Sequence, residues 1–586
     1  MTHETFFSVR TYVHLMTMRI RVPSGFLVAA GFCAAAFGFG APAALRAQDV
    51  SKILAQYVKA EGGAGKLAKL STVKFEGTVV GERAATKGPD AFVADVTPPP
   101  EPSHSSAVGG SYTFALKLPN RYYTEMVAGN ESWIESFNGK SAWRQNAKGD
   151  IGTLVGPEGL QLEAAARYFN SRLLNPKKNR LVVTFVRVTQ VRGKEVAEVE
   201  VAAPSGAKRQ IFFDTQTHLI AEESALVGGL QQDIYYDDYR PVDGVQIPYK
   251  IQLRRGEDIY RIEMSRVEVN EPIGERTFDF PKKAQVVLPD LKALFTQIDN
   301  NQKAIDKIKE DYAGTKVEEE TDFEGNGKTK KTEIRESTFF YLNGTEVSTL
   351  VKKDGRPLGD EEQKKEIERV TKEVERLQKD AEKKDQKDEK KKDEGKDPDA
   401  DDDEVSMETF LRACQFVNPR RERFRGADVL VFDFEPNPEF KARSLIEKII
   451  QKLGGVIWID EKALDVARLD AFFVSDVKIA GGLLADVQKG TRIILEQEFV
   501  NGEVWLPTYQ SVHVDLRLLL VKGFHVDETT KYSDYKKFNV ATIATIGKPK
   551  GADAAAPAAT PAAPTPSATS PSTATPAAPP PAAKPQ

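Results

Sequence analysis

GVIWID (Gly455–Asp460), ARLDAFFV (Ala467–Val474), RIILEQEFV (Arg492–Val500) and NGEVWLPTYQSVHVDLRLLLV (Asn501–Val521) follow one another with little but turns between them. β-branched and aromatic side chains dominate these runs, and such residues fit the pleated surface of a sheet. Asn501-Gly502 is a strong hairpin signal between two of them. The stretch predicts consecutive antiparallel strands. An earlier one has the same plan: QIFFDTQTHLIAEESALV (Gln210–Val227) followed by DIYYDDYRPVDGVQIPYKIQL (Asp233–Leu253). Both read strand, Asp, turn, strand, strand, V-[DN]-G, Pro, strand. The chain is therefore expected to be mainly β (α+β): two tandem antiparallel, strongly curved half-barrel sheets, each with packing helices.

Working outward, the chain divides into a first half-barrel domain over 48–285 and a second over 286–545. Helices open both units. Val50–Lys69, broken at Gly62-Gly63, carries Ile53, Leu54, Tyr57 and Val58 on one side, and Pro289–Asp311 carries Leu291, Leu294, Phe295 and Ile298. A third helix is expected over Glu158–Leu174. Within IPYKIQL, Ile247, Tyr249, Ile251 and Leu253 face one way and the polar residues the other, which predicts one buried and one wet face. Phe440–Gly455 reads as an amphipathic helix with a glycine stop and an apolar side of Leu445, Ile446, Ile449 and Ile450, expected to act as a lid on the second sheet.

Three segments fall outside this plan. Residues 1–47 have arginines, an apolar run (Phe26–Phe39) and small residues through Ala47, the pattern of a secretory signal peptide. This predicts export to the periplasm; a retained N-terminal anchor is the competing reading. At about 361–404 lies a charged insertion. Ile367, Val370, Val374, Leu377 and Ala381 give its first part a narrow coiled-coil-like stripe, and from Lys379 no apolar face remains. The Ala/Pro/Thr-rich tail, 546–586, is expected to be disordered.

With 586 residues, 29% charged and a formal net charge of −4, the chain has no global pull toward nucleic acid. Cleavage of the signal would leave Cys414 alone, so packing rather than a disulfide must hold the domains. No zinc-ligand spacing, nucleophile elbow, phosphate loop or dinucleotide fingerprint occurs, and no metal, cofactor or catalytic residue is expected. Ser511, His513 and Asp515 share a strand face, but i,i+2 spacing is roughly 6.5–7 Å, which argues for a polar outer face rather than a triad. Asp214 and Asp460, at matching places, read as turn formers. The aromatic supply is richer. Phe114, Trp133, Phe212 and Tyr249 in the first domain, with Phe432, Phe434, Trp458, Phe472 and Trp505 in the second, are the candidate lining of a ligand cavity; filling a plain core is the alternative.

The signal peptide, the leading helix, the strand-Asp-turn-strand elements (Ile211–Ile220, Val456–Leu469) and the V-[DN]-G…P hairpins (Val242–Pro248, Val500–Pro507) together resemble the LolA/LolB-like superfamily. These are periplasmic lipoprotein carriers and outer-membrane lipoprotein-sorting proteins. The second unit also looks like envelope proteins of Acidobacteria-like bacteria. The resemblance implies an unclosed β-barrel with a helical lid. It also implies a carrier or binding protein for lipid, lipoprotein acyl chains or another hydrophobic ligand, acting by non-covalent burial. Expected partners are lipid or lipoprotein, a membrane surface and other envelope proteins. An envelope interaction module without a cavity is the alternative function, and a hydrolase the remote one.

Overall fold

The computed structural model describes residues 42–83, 108–129, 131–323, 329–393, 407–479, 485–518 and 524–538. Residues 1–41 of the signal-peptide reading over 1–47, residues 394–404 of the charged insertion and the tail reading over 546–586 lie outside the described residues.

Two large antiparallel sheets make up the fold, and neither closes into a barrel. Helices α1 (Pro42–Glu61) and α2 (Ala64–Leu67) come first, with the predicted break at Gly62-Gly63 between them. The first sheet begins with β1 (Thr72–Arg83), β2 (Val108–Lys117), β3 (Arg121–Ala128), β4 (Glu131–Phe137), β5 (Ala142–Gln145) and β6 (Ile151–Thr153). Helix α3 (Gly156–Ser171) then crosses to β7 (Val182–Val191). The chain returns through β8 (Lys194–Ala202), β9 (Lys208–Asp214), β10 (Ile220–Val227), β11 (Leu230–Val242), β12 (Val245–Arg255) and β13 (Asp258–Val269). β13 pairs with β1, so β6 and β7 are left as the two edges.

The second sheet repeats this path. Helix α4 (Leu291–Lys309) precedes β14 (Tyr312–Phe323), β15 (Thr329–Leu342), β16 (Thr345–Lys353) and β17 (Arg356–Pro357). Helices α5 (Asp360–Asp393) and α6 (Met407–Ala413) stand where α3 stands in the first sheet. The return runs through β18 (Cys414–Phe424) and β19 (Ala427–Pro436), past helix α7 (Leu445–Ile450), to β20 (Leu453–Asp460) and β21 (Asp465–Phe473). A side ribbon of β22 (Val477–Ile479) and β23 (Ala485–Val487) intervenes before β24 (Arg492–Val500), β25 (Val504–Leu518) and β26 (Phe524–Lys537). β26 pairs with β14. The charged insertion therefore occupies the crossover between the open edges. Helix α5 continues to Asp393, and its Val370, Val374, Leu377 and Ala381 are half-buried whereas Ile367 is exposed. It is fastened to β16, where Glu366 accepts from the Leu350 amide (2.8 Å) and Arg369 donates to Ser348 O (2.5 Å).

Two expectations need correction. The helix read over Phe440–Gly455 is helical only from Leu445 to Ile450, opened by a Ser444–Glu447 capping box. Gly454 and Gly455 are not its stop but part of β20. A Cβ on Gly455 would sit 2.0 Å from Asp470 O and 2.7 Å from the Phe434 ring, so glycine is there for close strand and ring approach. The second correction concerns faces. Every residue of β20 is buried rather than every other one. One face, with Ile457 and Ile459, packs on Phe295, Phe410, Ile449 and Ile450 from the helices. The other, with Val456 and Trp458, packs on Phe424, Trp505 and Val155 of the first half.

Asp214 and Asp460 do form turns. Asp214 Oδ1 accepts from the amides of Gln216 (2.8 Å) and Thr217 (2.9 Å), and Asp460 Oδ1 from those of Lys462 (2.9 Å) and Ala463 (3.0 Å).

Candidate ligand cavity

The alternation of β1–β3 sends Val73 and Phe75, Tyr112, Phe114 and Leu116, and Tyr122 to the same side of the first sheet. On the far side of the seam between first and last strands, Ile262, Ile251 and Leu253, and Ile234 and Tyr236 do likewise. A helical lid lies over this concave face: α1 contributes Tyr57, and α3 Tyr168 and Phe169. Between lid and sheet remains a cavity of about 150 Å³. It follows the β11–β12 hairpin, with Gln232, Ile234, Tyr236 and Tyr239 on one strand and Val245, Ile247, Ile251 and Leu253 on the other. The eight residues of strand from Gln232 to Tyr239 make this side roughly 20 Å long, so the space is long and narrow.

Its polar groups are few and specific. Glu61, at the C-terminus of α1, has one carboxylate oxygen enclosed with no partner, and burial raises its pKa to about 7 despite a hydrogen bond from Tyr57 and the nearby Arg172. Burial, reinforced by Glu61, pushes the Tyr57 hydroxyl well above its ordinary range. Burial lowers Arg172, which donates to Leu70 O (3.1 Å). Glu223 accepts from Tyr168 (2.7 Å) and Arg209 (2.8 Å); burial nevertheless raises its pKa. Trp133, Gln232, Thr124 and Gln246 add further polar groups to the lining.

Of the residues singled out from sequence, Phe114 and Trp133 line the cavity. Phe212 sits between Ile211 and Phe213, both of which turn into the core, so its own side chain points to the opposite face. Tyr249 packs against the core with the Arg240 guanidinium 4.5 Å from its ring centre. The five in the second half are not brought together. Phe432 and Phe434 pack under the helices with Phe295, Phe410 and Phe416. Trp458 and Trp505 lie on the other face of that sheet. Phe472 lies near Arg492, whose guanidinium is 5.9 Å from its ring centre. Ile449 and Ile450 are buried in the helix-covered core; the side chains of Leu445 and Ile446 lie outside the described residues. Glu61, Arg172, Glu223 and Gln232 were not picked out as cavity residues from sequence, and Tyr57 was read only as part of the apolar side of the leading helix. Gln232 had a legible signal, since it occupies an inward i,i+2 position with Ile234 and Tyr236, where an apolar residue is the norm.

The His513 region also departs from expectation. His513 Nε2 lies 3.4 Å from Asp515 Oδ2, so the i,i+2 pair does come within bonding reach. Asp515 is buried, not wet, because Arg180 from the first half folds onto it. His513 also contacts Asp527, and His525 contacts Asp515. Ser511 stands outside this cluster. Among the described residues, no group of three or more His, Cys, Asp and Glu side chains is placed to hold a metal ion.

No protein-family model matches the chain, and no curated protein matches it. Among solved structures, it is similar to a DUF1329 family protein from Desulfovibrio piger (10% identity, TM-score 0.25, covering 39% of this chain and 97% of the other). It is also similar to a putative outer membrane lipoprotein-sorting protein domain from Vibrio parahaemolyticus (9%, TM-score 0.26, 40% and 97%). A third is a LolA superfamily protein from Nitrosomonas europaea (10%, TM-score 0.26, 39% and 97%).

Proposed function

We propose that the chain is a periplasmic binding or carrier protein whose first sheet holds one slender apolar group, an acyl chain, by non-covalent burial. The observation that carries this reading is the long, narrow, aromatic-lined cavity beneath α1 and α3. A preformed apolar space gains on the order of 25 cal/mol for each Å² of ligand taken out of water. A dry cavity of about 150 Å³ is known to accept a benzene-sized guest. Enclosure of a longer chain therefore requires α1 to move outward or the chain end to project. The equivalent face of the second sheet is filled by Phe295, Phe410, Phe416, Phe432 and Phe434, which favours a supporting role for that half. The proposal includes no chemical step. Among the described residues no helix is long and apolar enough to cross a membrane. Export by the N-terminal segment would place the protein where lipoproteins and lipids pass.

Native mass spectrometry of the full chain purified from a cell envelope tests this. The expected result is a lipid or fatty-acyl adduct in the wild type that is lost in Ile251→Phe, which fills the cavity, with the circular dichroism of the two proteins superimposable. No adduct in the wild type, or one retained in the filled variant, would overturn the proposal.

A further inference from the structure

One end of the cavity has hydrogen-bond donors with nothing to donate to. Trp133 and Gln232 both belong to its lining and are 8% and 5% exposed, and neither Trp133 Nε1 nor Gln232 Nε2 has a partner. Arg255 ties the two together. Its guanidinium lies 3.9 Å from the centre of the Trp133 ring, and its backbone is the cross-strand partner of Gln232 on β11–β12. Its Nε is unpartnered as well. Unmade buried donors are costly, so three in one place are not a neutral feature of a core.

The surrounding charges decide what kind of group fits. Arg255 and Arg144 both donate to Glu135 Oε1 (2.6 and 2.7 Å), and Arg144 lies 3.7 Å from Glu158. Asp233, beside Gln232, is paired with Arg254 (2.6 Å). Two guanidiniums thus face two carboxylates, and a third pair is self-contained. Nothing here demands a full counter-charge; the lack is of acceptor oxygen. Glu135 Oε2, also unpartnered, is not part of the lining.

Building on the cavity reading above, we propose that this end is a head-group subsite for an acyl carbonyl, with Trp133 Nε1 and Gln232 Nε2 donating to its oxygen and Arg255 steadying the indole from behind. The methylenes then run along Ile234, Tyr236 and Ile251 toward the Glu61 end. The carbonyl can belong to a free fatty acid or to an ester; the recognition chemistry is the same.

Isothermal titration of the full chain with decanoate, methyl decanoate and undecane tests the assignment. The variants are Gln232→Met and Trp133→Phe, each checked for native circular dichroism; Gln232→Met alone suffices if the indole is needed for folding. At least one carbonyl probe is expected to bind more tightly than undecane. Each variant should weaken that probe about tenfold, the equivalent of 1.4 kcal/mol, and leave undecane unchanged. Tighter binding of decanoate identifies a free acid as the ligand type, and tighter binding of methyl decanoate an ester; both support the subsite. Equal loss for undecane, or unchanged carbonyl binding in both variants, would overturn the subsite while leaving the apolar cavity standing. Failure of all three probes to bind the wild type would remove the cavity reading itself.

Discussion

Glu61 ends α1 beside Gly62, whose backbone approaches that of Gly244 so closely that a Cβ would lie 2.5 Å from Gly244 O. The helix is thereby held down and the Glu61 carboxyl is carried under the lid. Its pKa, raised by burial from 4.5 to about 7, makes the folded state bind a proton that the unfolded chain has released between those values. The stability this proton confers is complete below about pH 4.5 and is lost as pH rises through about 7. At pH 8 the ionised carboxyl costs up to about 3 kcal/mol. Glu61→Gln is therefore expected to raise the melting temperature at pH 8 and to change it little at pH 4.5. Melting curves at the two pH values check this, and an equal shift at both would contradict it. Glu61 was not singled out from sequence, because nothing local distinguishes a glutamate at the rim of a lid from one in solvent.

Strands were legible where residues decide them locally. The runs around Trp458 and Trp505, the Asn501-Gly502 turn and the Asp214 and Asp460 turns all stand where side-chain type and spacing put them. Helix ends and faces were less so. The apolar spacing of Phe440–Gly455 suits a helix, yet strand pairing with Phe473, Phe472 and Ala471 claims Leu453–Gly455 instead. Tertiary contact overrides local period there. The same argument predicts contrasting glycines. A Cβ at Gly455 meets backbone and ring, so Gly455→Ala should cost about 2 kcal/mol or more. Gly65, within α2, has open space around its Cβ, and Gly65→Ala should add about 0.5–1 kcal/mol through helix propensity. Urea titration of the two variants side by side checks the pair; a Gly455→Ala protein as stable as the wild type would remove the close-approach explanation.

At the scale of the molecule, the two sheets meet through a buried polar hub that sequence alone could not show, since its partners stand as far as 295 positions apart. Asp433 is fully buried. It accepts from Asn138 (3.0 Å) and Ser141 of the first half, and from Asn418 (2.9 Å) and Arg420 (3.1 Å) of the second. Arg420, itself 2% exposed, reaches back to Thr153 (2.8 Å) and lies 3.9 Å from the ring centre of Phe280. Farther along the same contact, Arg492 bonds Glu163 of α3 and Arg180 bonds Asp515. Such a network is well matched only while every member is present. Asp433→Ala leaves the Arg420 guanidinium with Glu422 as its remaining carboxylate, takes the acceptor from Ser141, and leaves Asn138 and Asn418 with Asp279 alone, at a cost of about 3 kcal/mol. That cost falls on the junction, because Asp433 takes its donors from both halves. The wild type should therefore unfold in a single calorimetric transition, and Asp433→Ala should separate it into two, with the second sheet no longer melting together with the first. A variant that still melts in one transition, shifted by less than about 1 °C, would mean that the apolar contact around Val155 and Phe280 couples the halves without the hub.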